Sequence, residues 1–320
     1  MGLIALRVFR RPGAAWFAGV TAGAHPILVN SASQPYNEDL FFFFFAVAIW
    51  AFLVWFQTQR VRWAILCGVM IGFCMLTREN GVLLLAAMGV VMLLAGPRTL
   101  RTWMGYGIIA LVTVSVVIPW TIRNYVRFGI FVPVASIVGE DLVEGNNLCV
   151  ASESVLVPYW AEGPCPWVDE QRRVGSEAET ANSRVPTAVR SDRLSRRITV
   201  QFISDHPAAY AKLMFRRFWT TLLPYDPRGS QHRQERIVLS LYWLLVFPAG
   251  LLGMVVALMR IESGRLLLGV LVVLNLLSIA AVLYWSDLRF RVGIDLLLGC
   301  FAGWAYAEIF RLRHREQQPD

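Results

Sequence analysis

Charged residues are scarce in this chain. Only 16% of its 320 residues are Asp, Glu, Lys or Arg, whereas an average soluble domain has about 25%. Lys212 is the only lysine, so arginine supplies nearly all of the positive charge. Hydrophobic residues make up 56% of the chain, more than a soluble core requires. The composition argues against an ordinary soluble domain and favours a membrane protein.

Sequence patterns for nucleotide or metal binding are also missing. The chain has neither GxGxxG nor GxxxxGK followed by Ser or Thr, which argues against a nucleotide-driven pump. It has no CxxC or HExxH, and its four histidines are scattered. No internal repeat of useful length is present, which weakens an inverted-repeat transporter.

Apolar runs long enough to cross a bilayer lie on both sides of a long polar stretch. A membrane-spanning helix needs about 20 apolar residues, or about 17 at the low end. The third and fourth runs are short, and the polar residues 77–80 between them indicate a helical hairpin. The runs cover residues 14–30, 39–57, 63–77, 81–95, 103–120, 237–259, 265–284 and 290–310. They predict an all-α polytopic membrane protein of about eight spans.

Arginines mark every second connection between these runs. The positive-inside rule therefore places both termini in the cytoplasm and the long polar stretch outside. The same placement accounts for the formal net charge of +8 without a nucleic-acid partner. The arginines concerned are Arg7, Arg10, Arg11, Arg60, Arg62, Arg98, Arg101, Arg260, Arg265, Arg311, Arg313 and Arg315.

The pattern divides the chain into four parts. Residues 1–120 hold about five spans, 121–236 form an extracytoplasmic domain, 237–310 hold about three spans, and 311–320 form a cytoplasmic tail. Residues 121–174 are rich in Gly, Pro and Asn and predict loops and short strands, while the remainder of the outer domain has helical spacing. We therefore expect a mixed α/β or irregular extracytoplasmic domain.

A basic amphipathic helix is predicted shortly before the sixth apolar run. Tyr210 and Leu213 continue a helical apolar spacing, and Lys212, Arg216 and Arg217 lie close by. Such a helix lies along the outer leaflet, where it either anchors the domain or attracts an anionic lipid head group.

The five cysteines separate by compartment. Cys67, Cys74 and Cys300 fall within apolar runs, whereas Cys149 and Cys165 fall in the outer domain. Only the outer pair lies where oxidation is expected, so we predict a disulfide between Cys149 and Cys165.

Several stretches resemble sequence blocks of a known family and occur in the same order. They read HPILVNSASQPYNEDLF, GFCMLTRENGVLLL, VIPWTIRNYVRFGIFVPV followed by GEDLVEGNN, and YWSDLRFRVGIDLLL. Together they resemble bacterial glycosyltransferases of the dolichyl-phosphate-mannose protein mannosyltransferase type. These enzymes have the GT-C fold and use lipid-linked sugars. The last stretch is similar to the family's RYRLP pattern, and the resemblance touches nearly the whole chain.

The start of the chain departs from this family. Its members normally begin with a further span and a large outer loop, and that loop carries an acidic pair that includes the catalytic base. This chain starts after that position, so the resemblance assigns it no catalytic base. We expect either that the true start lies upstream or that the chain is a remnant or a noncatalytic relative.

Two carboxylates stand at the outer mouth of the second run. Glu38 and Asp39 match the acidic position of the family's second outer loop, so a divalent metal ion is the cofactor expected there, or else the pair positions the acceptor. The alternative is a helix start capped by Asn37, where the helix dipole favours carboxylates.

Positive charge on the departing phosphate is the other chemical requirement of sugar transfer from a polyprenyl phosphate. Arg78, beside Glu79, is one candidate, and an interfacial ion pair is the alternative. The RYRLP-like stretch adds Asp287, Arg289 and Arg291, because the resemblance implies that an arginine there contacts the donor phosphate. Interfacial anchoring explains these three residues equally well.

Polar residues elsewhere complete the set of candidates. Asn146 and Asn147 match the family's GNN passage, which implies hydrogen bonds to sugar hydroxyls, and a Gly-Asn turn is the alternative. Asp295 lies deep in the last run, so we expect it to have a buried partner. His25 is expected to be an interhelical hydrogen-bond donor.

The resemblance as a whole implies an integral membrane glycosyltransferase with a GT-C-like helical bundle. It would move a hexose or pentose from a polyprenyl-phosphate donor to a glycan, lipid or protein acceptor at the outer face of a bacterial inner membrane. The alternative is a truncated or noncatalytic relative that binds the lipid carrier or scaffolds a partner.

Overall fold

Helices form all the regular structure in the described part of the chain. The computed structural model describes residues 1–34, 37–135, 138–152, 165–170, 173, 187–225, 233–259, 262–281 and 288–316. No strand occurs among these residues, which confirms the all-α character of the membrane part. The described parts of 121–174 contain helices and loops, so the short strands expected there are not found in them.

Fourteen α-helices are named in chain order across the described residues. A 3₁₀ turn, Glu79–Gly81, joins the fifth helix to the sixth, and residues 166–170 are also helical. The helices are α1 (Gly2–Phe9), α2 (Pro12–Gly23), α3 (Pro26–Ser31), α4 (Glu38–Thr58), α5 (Val61–Thr77), α6 (Val82–Ala95), α7 (Leu100–Phe128), α8 (Val138–Gly145), α9 (Leu148–Ser152), α10 (Thr187–Asp205), α11 (Pro207–Thr221), α12 (Arg233–Leu258), α13 (Ser263–Ala281) and α14 (Leu288–Glu316).

The chain divides into two compact units. The first comprises Met1–Val117, Arg233–Asn275 and Arg291–Asp320, and the second comprises Ile118–His232 and Leu276–Phe290. The first unit thus combines the early and late apolar runs, and the second contains most of the polar stretch. The four parts proposed from the sequence stay a prediction.

Five helices are long and apolar enough to cross a membrane. They are α4, α7, α12, α13 and the segment Leu288–Arg311 of α14. Helices α5 and α6 have 17 and 14 residues and are shorter than a usual span. They form the two arms expected around residues 77–80. These helices make the chain a multi-pass membrane protein. The count of eight spans stays a prediction.

The first apolar run is interrupted at a proline. α2 ends at Gly23 and α3 begins at Pro26, which has no N–H and disfavours helical backbone at the residue before it. His25 is accordingly extended, with φ −64° and ψ 117°, and its Nδ1 accepts a hydrogen bond from the Ile27 amide at 3.3 Å. The break places a short helix, α3, immediately before the polar end of α4.

The arginine-rich start of the chain forms a helix of its own. α1 buries the side chains of Ile4, Ala5, Val8 and Phe9. The Phe9 ring lies 5.5 Å from that of Phe301. The sequence pattern indicates only a basic flank here, because a single amphipathic face of eight residues is too short to stand out beside the apolar runs.

Two glycines bring α5 close to α7. A Cβ added at Gly68 would lie 2.6 Å from the Ile109 carbonyl oxygen, and one added at Gly72 would lie 2.6 Å from Val116 Cβ. Thr113 Oγ1 also donates a hydrogen bond to the Gly68 carbonyl oxygen at 3.1 Å. Two small residues four positions apart commonly allow membrane helices to approach closely. In lipid, the hydrophobic effect does not drive helices together, so close packing is needed to stabilise their contact.

The second unit has its own apolar core. Val150, Ala151, Phe202 and Leu213 form one buried cluster, so α9 packs against α10 and α11. A second cluster contains Val143, Cys165, Val168 and Ile198. The start of α8 is held by α10, since Asp192 Oδ1 accepts a hydrogen bond from the Gly139 amide at 2.5 Å.

Enlarging Gly72 should destabilise the first unit. Gly72→Leu would force α5 away from α7, and overpacking of this kind costs about 1–3 kcal/mol. The melting temperature of the purified protein in detergent measures the loss. Gly107→Leu on α7 is the matched control, because a Cβ at Gly107 meets nothing within 4 Å. Equal melting temperatures for the two variants would contradict the close contact.

Candidate functional site

An ion pair joins the start of α4 to the end of α5. Glu38 is the first residue of α4 and is 1% exposed, and its Oε1 accepts from Arg78 Nη2. Arg78 follows α5, and its side chain retains 23% exposure. Buried carboxylates are costly unless paired. Glu38 therefore fixes the direction of the guanidinium.

Neighbouring polar groups brace this pair. Asn37 Nδ2 donates to the Thr77 carbonyl oxygen at 2.8 Å, and Arg78 Nε donates to Asn37 Oδ1 at 3.5 Å. The two helix ends are thus joined by an ion pair and by an amide bridge. Asn37 was expected only to cap α4, but its side chain makes no cap hydrogen bond.

Asp39 takes part in a separate contact. Its Oδ1 accepts a hydrogen bond from Ser31 Oγ at 2.9 Å, which ties the last residue of α3 to α4. Asp39 and Glu79 are both partly buried, and Glu79 lies in the 3₁₀ turn after Arg78. Four candidates from the sequence, Glu38, Asp39, Arg78 and Glu79, therefore lie along the ends of α4 and α5.

A metal ion at Glu38 and Asp39 has little support in this arrangement. Glu38 pairs with Arg78, and Asp39 accepts from Ser31, so each carboxylate already serves a protein donor. The described residues contain no group of three or more His, Cys, Asp or Glu side chains that could hold a metal ion. The divalent metal stays a prediction.

Arg291 belongs to a second, fully buried cluster. Its Nε donates to Asp295 Oδ2 at 3.1 Å, one turn farther along α14. His25 Nε2 lies 3.4 Å from the same oxygen, and the His25 ring lies 4.7 Å from that of Tyr242 on α12. Arg291, Asp295 and His25 are each at most 2% exposed. The structure thus gives Arg291 an internal partner.

Helix α3 connects the two clusters. His25 is its N-cap and Ser31 its last residue, so the helix has the buried charge cluster at one end and Asp39 at the other. Its six residues span about 9 Å. The position of α3 is therefore one structural link between Asp295 and Asp39.

Asn146 and Asn147 have internal roles in the second unit. Asn146 Oδ1 accepts from Arg217 Nη1 at 2.9 Å, and its Nδ2 donates to the Leu142 carbonyl oxygen at 2.7 Å. Asn147 Oδ1 accepts from the Val150 amide at 3.0 Å and so caps α9. Both side chains are at most 1% exposed. Both amides are thus engaged within the second unit, and a contact with a sugar hydroxyl stays a prediction.

Arg217 lies in the interior of the second unit and not on the outer surface of α11. Its side chain is 0% exposed, and it donates to the carbonyl oxygens of Gly145 and Ala280, the latter at 3.4 Å. Burial lowers its pKa to about 10, so it still carries its charge at neutral pH. The guanidinium of Arg217 is therefore engaged within the protein, and the membrane-surface role of the helix stays a prediction. Lys212 on the same helix remains exposed.

A signal for the burial of Arg217 was present in the sequence. It stands four residues after Leu213 and four before Thr221, and both of these are buried. Residues at this spacing share one helix face. The nearby positive charges suggested a surface role for Arg217. The helical spacing instead places it on the same face as Leu213 and Thr221.

The remaining donor candidates give less information. Arg289 lies in the second unit and is partly buried. Asp287 lies outside the described residues. Arg289 and the Glu38–Arg78 pair belong to different units and are described separately.

Cys149 and Cys165 are joined in a disulfide. Their Cα atoms are 6.0 Å apart, and the bond links α9 to the helical residues 166–170. Cys165 also belongs to the buried cluster with Val143 and Ile198. The other three cysteines are free and buried.

A comparison with protein families adds to this geometry. Residues 3–122 match the family model described as Dolichyl-phosphate-mannose-protein mannosyltransferase. The match covers 120 of the 320 residues, counting from 3 to 122, and it includes His25, Glu38 and Arg78. No curated protein and no solved structure matches the chain. The first part of the chain is therefore similar to a family of membrane glycosyltransferases.

Removal of the disulfide should destabilise the second unit. Cys149→Ser with Cys165→Ser releases a loop of 16 residues in the unfolded chain, which is expected to lower the free energy of unfolding by about 3 kcal/mol. The melting temperature with and without reductant measures this effect. Reductant should lower it in the unsubstituted protein and leave it unchanged in the double variant. Equal sensitivity in both would contradict a stabilising bond.

Proposed function

We propose that the chain is an integral membrane glycosyltransferase that takes a sugar from a polyprenyl-phosphate donor at the extracytoplasmic face. The observation that carries the proposal is the position of the Glu38–Arg78 pair. It lies within the segment similar to mannosyltransferases and at the ends of two apolar helices. A lipid-linked phosphate resides at that depth, between hydrocarbon and water.

The chemistry places one demand on Arg78. In the transfer, an acceptor hydroxyl oxygen bonds to the anomeric carbon, the bond from that carbon to the phosphate oxygen breaks, and the phosphate leaves with the electron pair. A fixed guanidinium stabilises the negative charge on that group. Glu38 holds Arg78 in place, while part of the Arg78 side chain stays accessible.

The hydroxyl proton requires a base, and we assign none among the described residues. Glu38 is buried and paired with Arg78, so we give it an orienting role only. Asp39 already accepts from Ser31.

A noncatalytic relative is the second candidate function. The engagement of both Glu38 and Asp39 by protein donors favours it, because neither carboxylate is left in a position typical of a base. In that case Arg78 would bind the phosphate of the lipid carrier without transfer of its sugar.

Substitution of Arg78 tests the donor site. Arg78→Gln removes a charge-assisted contact to phosphate, which we expect to reduce sugar transfer by about 10- to 100-fold. Transfer from a radiolabelled polyprenyl-phosphate sugar, measured with purified protein in bilayers, gives the rate. Arg98→Gln is the matched control, since Arg98 is exposed and follows the far end of α6.

The outcomes separate the two candidates. Equal transfer rates in Arg78→Gln and Arg98→Gln would contradict the assignment of Arg78. Absence of transfer in the unsubstituted protein, with lipid binding that Arg78→Gln weakens and Arg98→Gln preserves, would favour the noncatalytic relative.

The sidedness of the site can be tested separately. Fluorescent protein fused after the last residue is expected to fluoresce, because the arginine pattern places the C-terminus in the cytoplasm. Alkaline phosphatase inserted after residue 180 is expected to be active, because it matures only outside the cytoplasm. The reverse pattern would place the Glu38–Arg78 pair on the cytoplasmic face.

A further inference from the structure

Three arginines surround one cavity in the first unit. The cavity has a volume of about 710 Å³ and lies where the end of α4 meets the starts of α5 and α7. Arg60, Arg62 and Arg101 line it and are all exposed. We call this space the arginine cavity.

The charge of the arginine cavity is not balanced from within. Among the described residues, no carboxylate forms an ion pair with Arg60, Arg62 or Arg101. A neighbouring cavity of about 480 Å³ is different, because Glu262 lines it and pairs with Arg265 at 3.2 Å. Three like charges around one space repel each other and favour an anion from outside.

Apolar side chains also line the arginine cavity. Trp55 is buried there, and Met104 and Ile108 lie one turn apart on α7. Met104 is 60% exposed and lies in a helix that can span a membrane. A cavity lined by both arginines and apolar side chains matches a molecule with an anionic head and a hydrocarbon tail.

The arginine cavity is separate from the donor site proposed above. α4 runs from Glu38 to Thr58 and, with 21 residues, is about 30 Å long. Glu38 stands at one end, while Trp55 and Gln59 line the cavity at the other. A helix of this length crosses the hydrocarbon core. The two places therefore meet opposite faces of the membrane.

We propose that the arginine cavity binds an anionic phospholipid of the cytoplasmic leaflet. Arg60, Arg62 and Arg101 hold the phosphate, and one acyl chain lies along Met104 and Ile108. The cytoplasmic leaflet carries anionic lipids, and basic pockets between membrane helices recognise their head groups. The inference goes beyond the proposed function, because it concerns a lipid that is not the sugar donor.

Lipid titration of the full chain tests the proposal. Delipidated protein in neutral detergent is titrated with dioleoyl phosphatidylglycerol, and bound lipid is counted by native mass spectrometry. Arg60→Gln, Arg62→Gln and Arg101→Gln together should weaken binding roughly 100-fold, and Arg101→Gln alone roughly fivefold, since each arginine near an anionic surface contributes about the same.

A matched triple variant controls for net charge. Arg7→Gln, Arg10→Gln and Arg98→Gln remove the same three charges from the same predicted face but do not touch the arginine cavity. We expect that variant to bind within about threefold of the unsubstituted protein. Equal loss in both triple variants would overturn the proposal, because the effect would then be general electrostatics.

Two further ligands separate a lipid site from a phosphate site. Dioleoyl phosphatidylcholine has the tails without the net charge, and glycerol 3-phosphate has the charge without the tails. Both should bind at least tenfold more weakly than phosphatidylglycerol. Equal binding of phosphatidylcholine would show a groove for any lipid, and equal binding of glycerol 3-phosphate would show a soluble-anion site. Either result would reject the proposal.

Discussion

The cost of burying an unpaired charge is the constraint on which this structure depends. An ionised side chain in apolar surroundings loses its hydration and requires an opposite charge or aligned dipoles. Glu38 meets Arg78 from the end of α5, and Asp295 meets both Arg291 on its own helix and His25 from the start of α3. These contacts join separate helices, so neutralisation of charge also fixes helix ends against one another.

The buried cluster and the candidate site are linked through α3. Asp295, which pairs with Arg291, contacts the N-cap of α3, and the last residue of α3 contacts Asp39. The break at Pro26 makes this possible, since an unbroken helix would not present the His25 ring as a cap. Residues of the late stretch are thus linked through α3 to Asp39 at the start of α4.

Sequence reasoning named Glu38 and Arg78 as candidates but did not predict that they pair with each other. Hydropathy and arginine spacing predicted the apolar helices and the hairpin around residues 77–80, because both signals are local. The Glu38–Arg78 contact spans 40 positions and depends on the packing of α4 against α5, which no local pattern encodes. Arg217 shows the opposite failure, since its helical period indicated burial while its charge suggested a lipid-facing role.

The two ends of α4 differ in how their charge is satisfied. The helix dipole favours carboxylates at its N-terminus and cations at its C-terminus, which agrees with Glu38 at one end and Arg60 just beyond the other. At the first end, the phosphate of the proposed donor would compete with Glu38 for Arg78, which favours reversible binding. At the other end, no described carboxylate competes for Arg60, Arg62 or Arg101. A substrate that must leave suits the first arrangement, and a resident lipid suits the second.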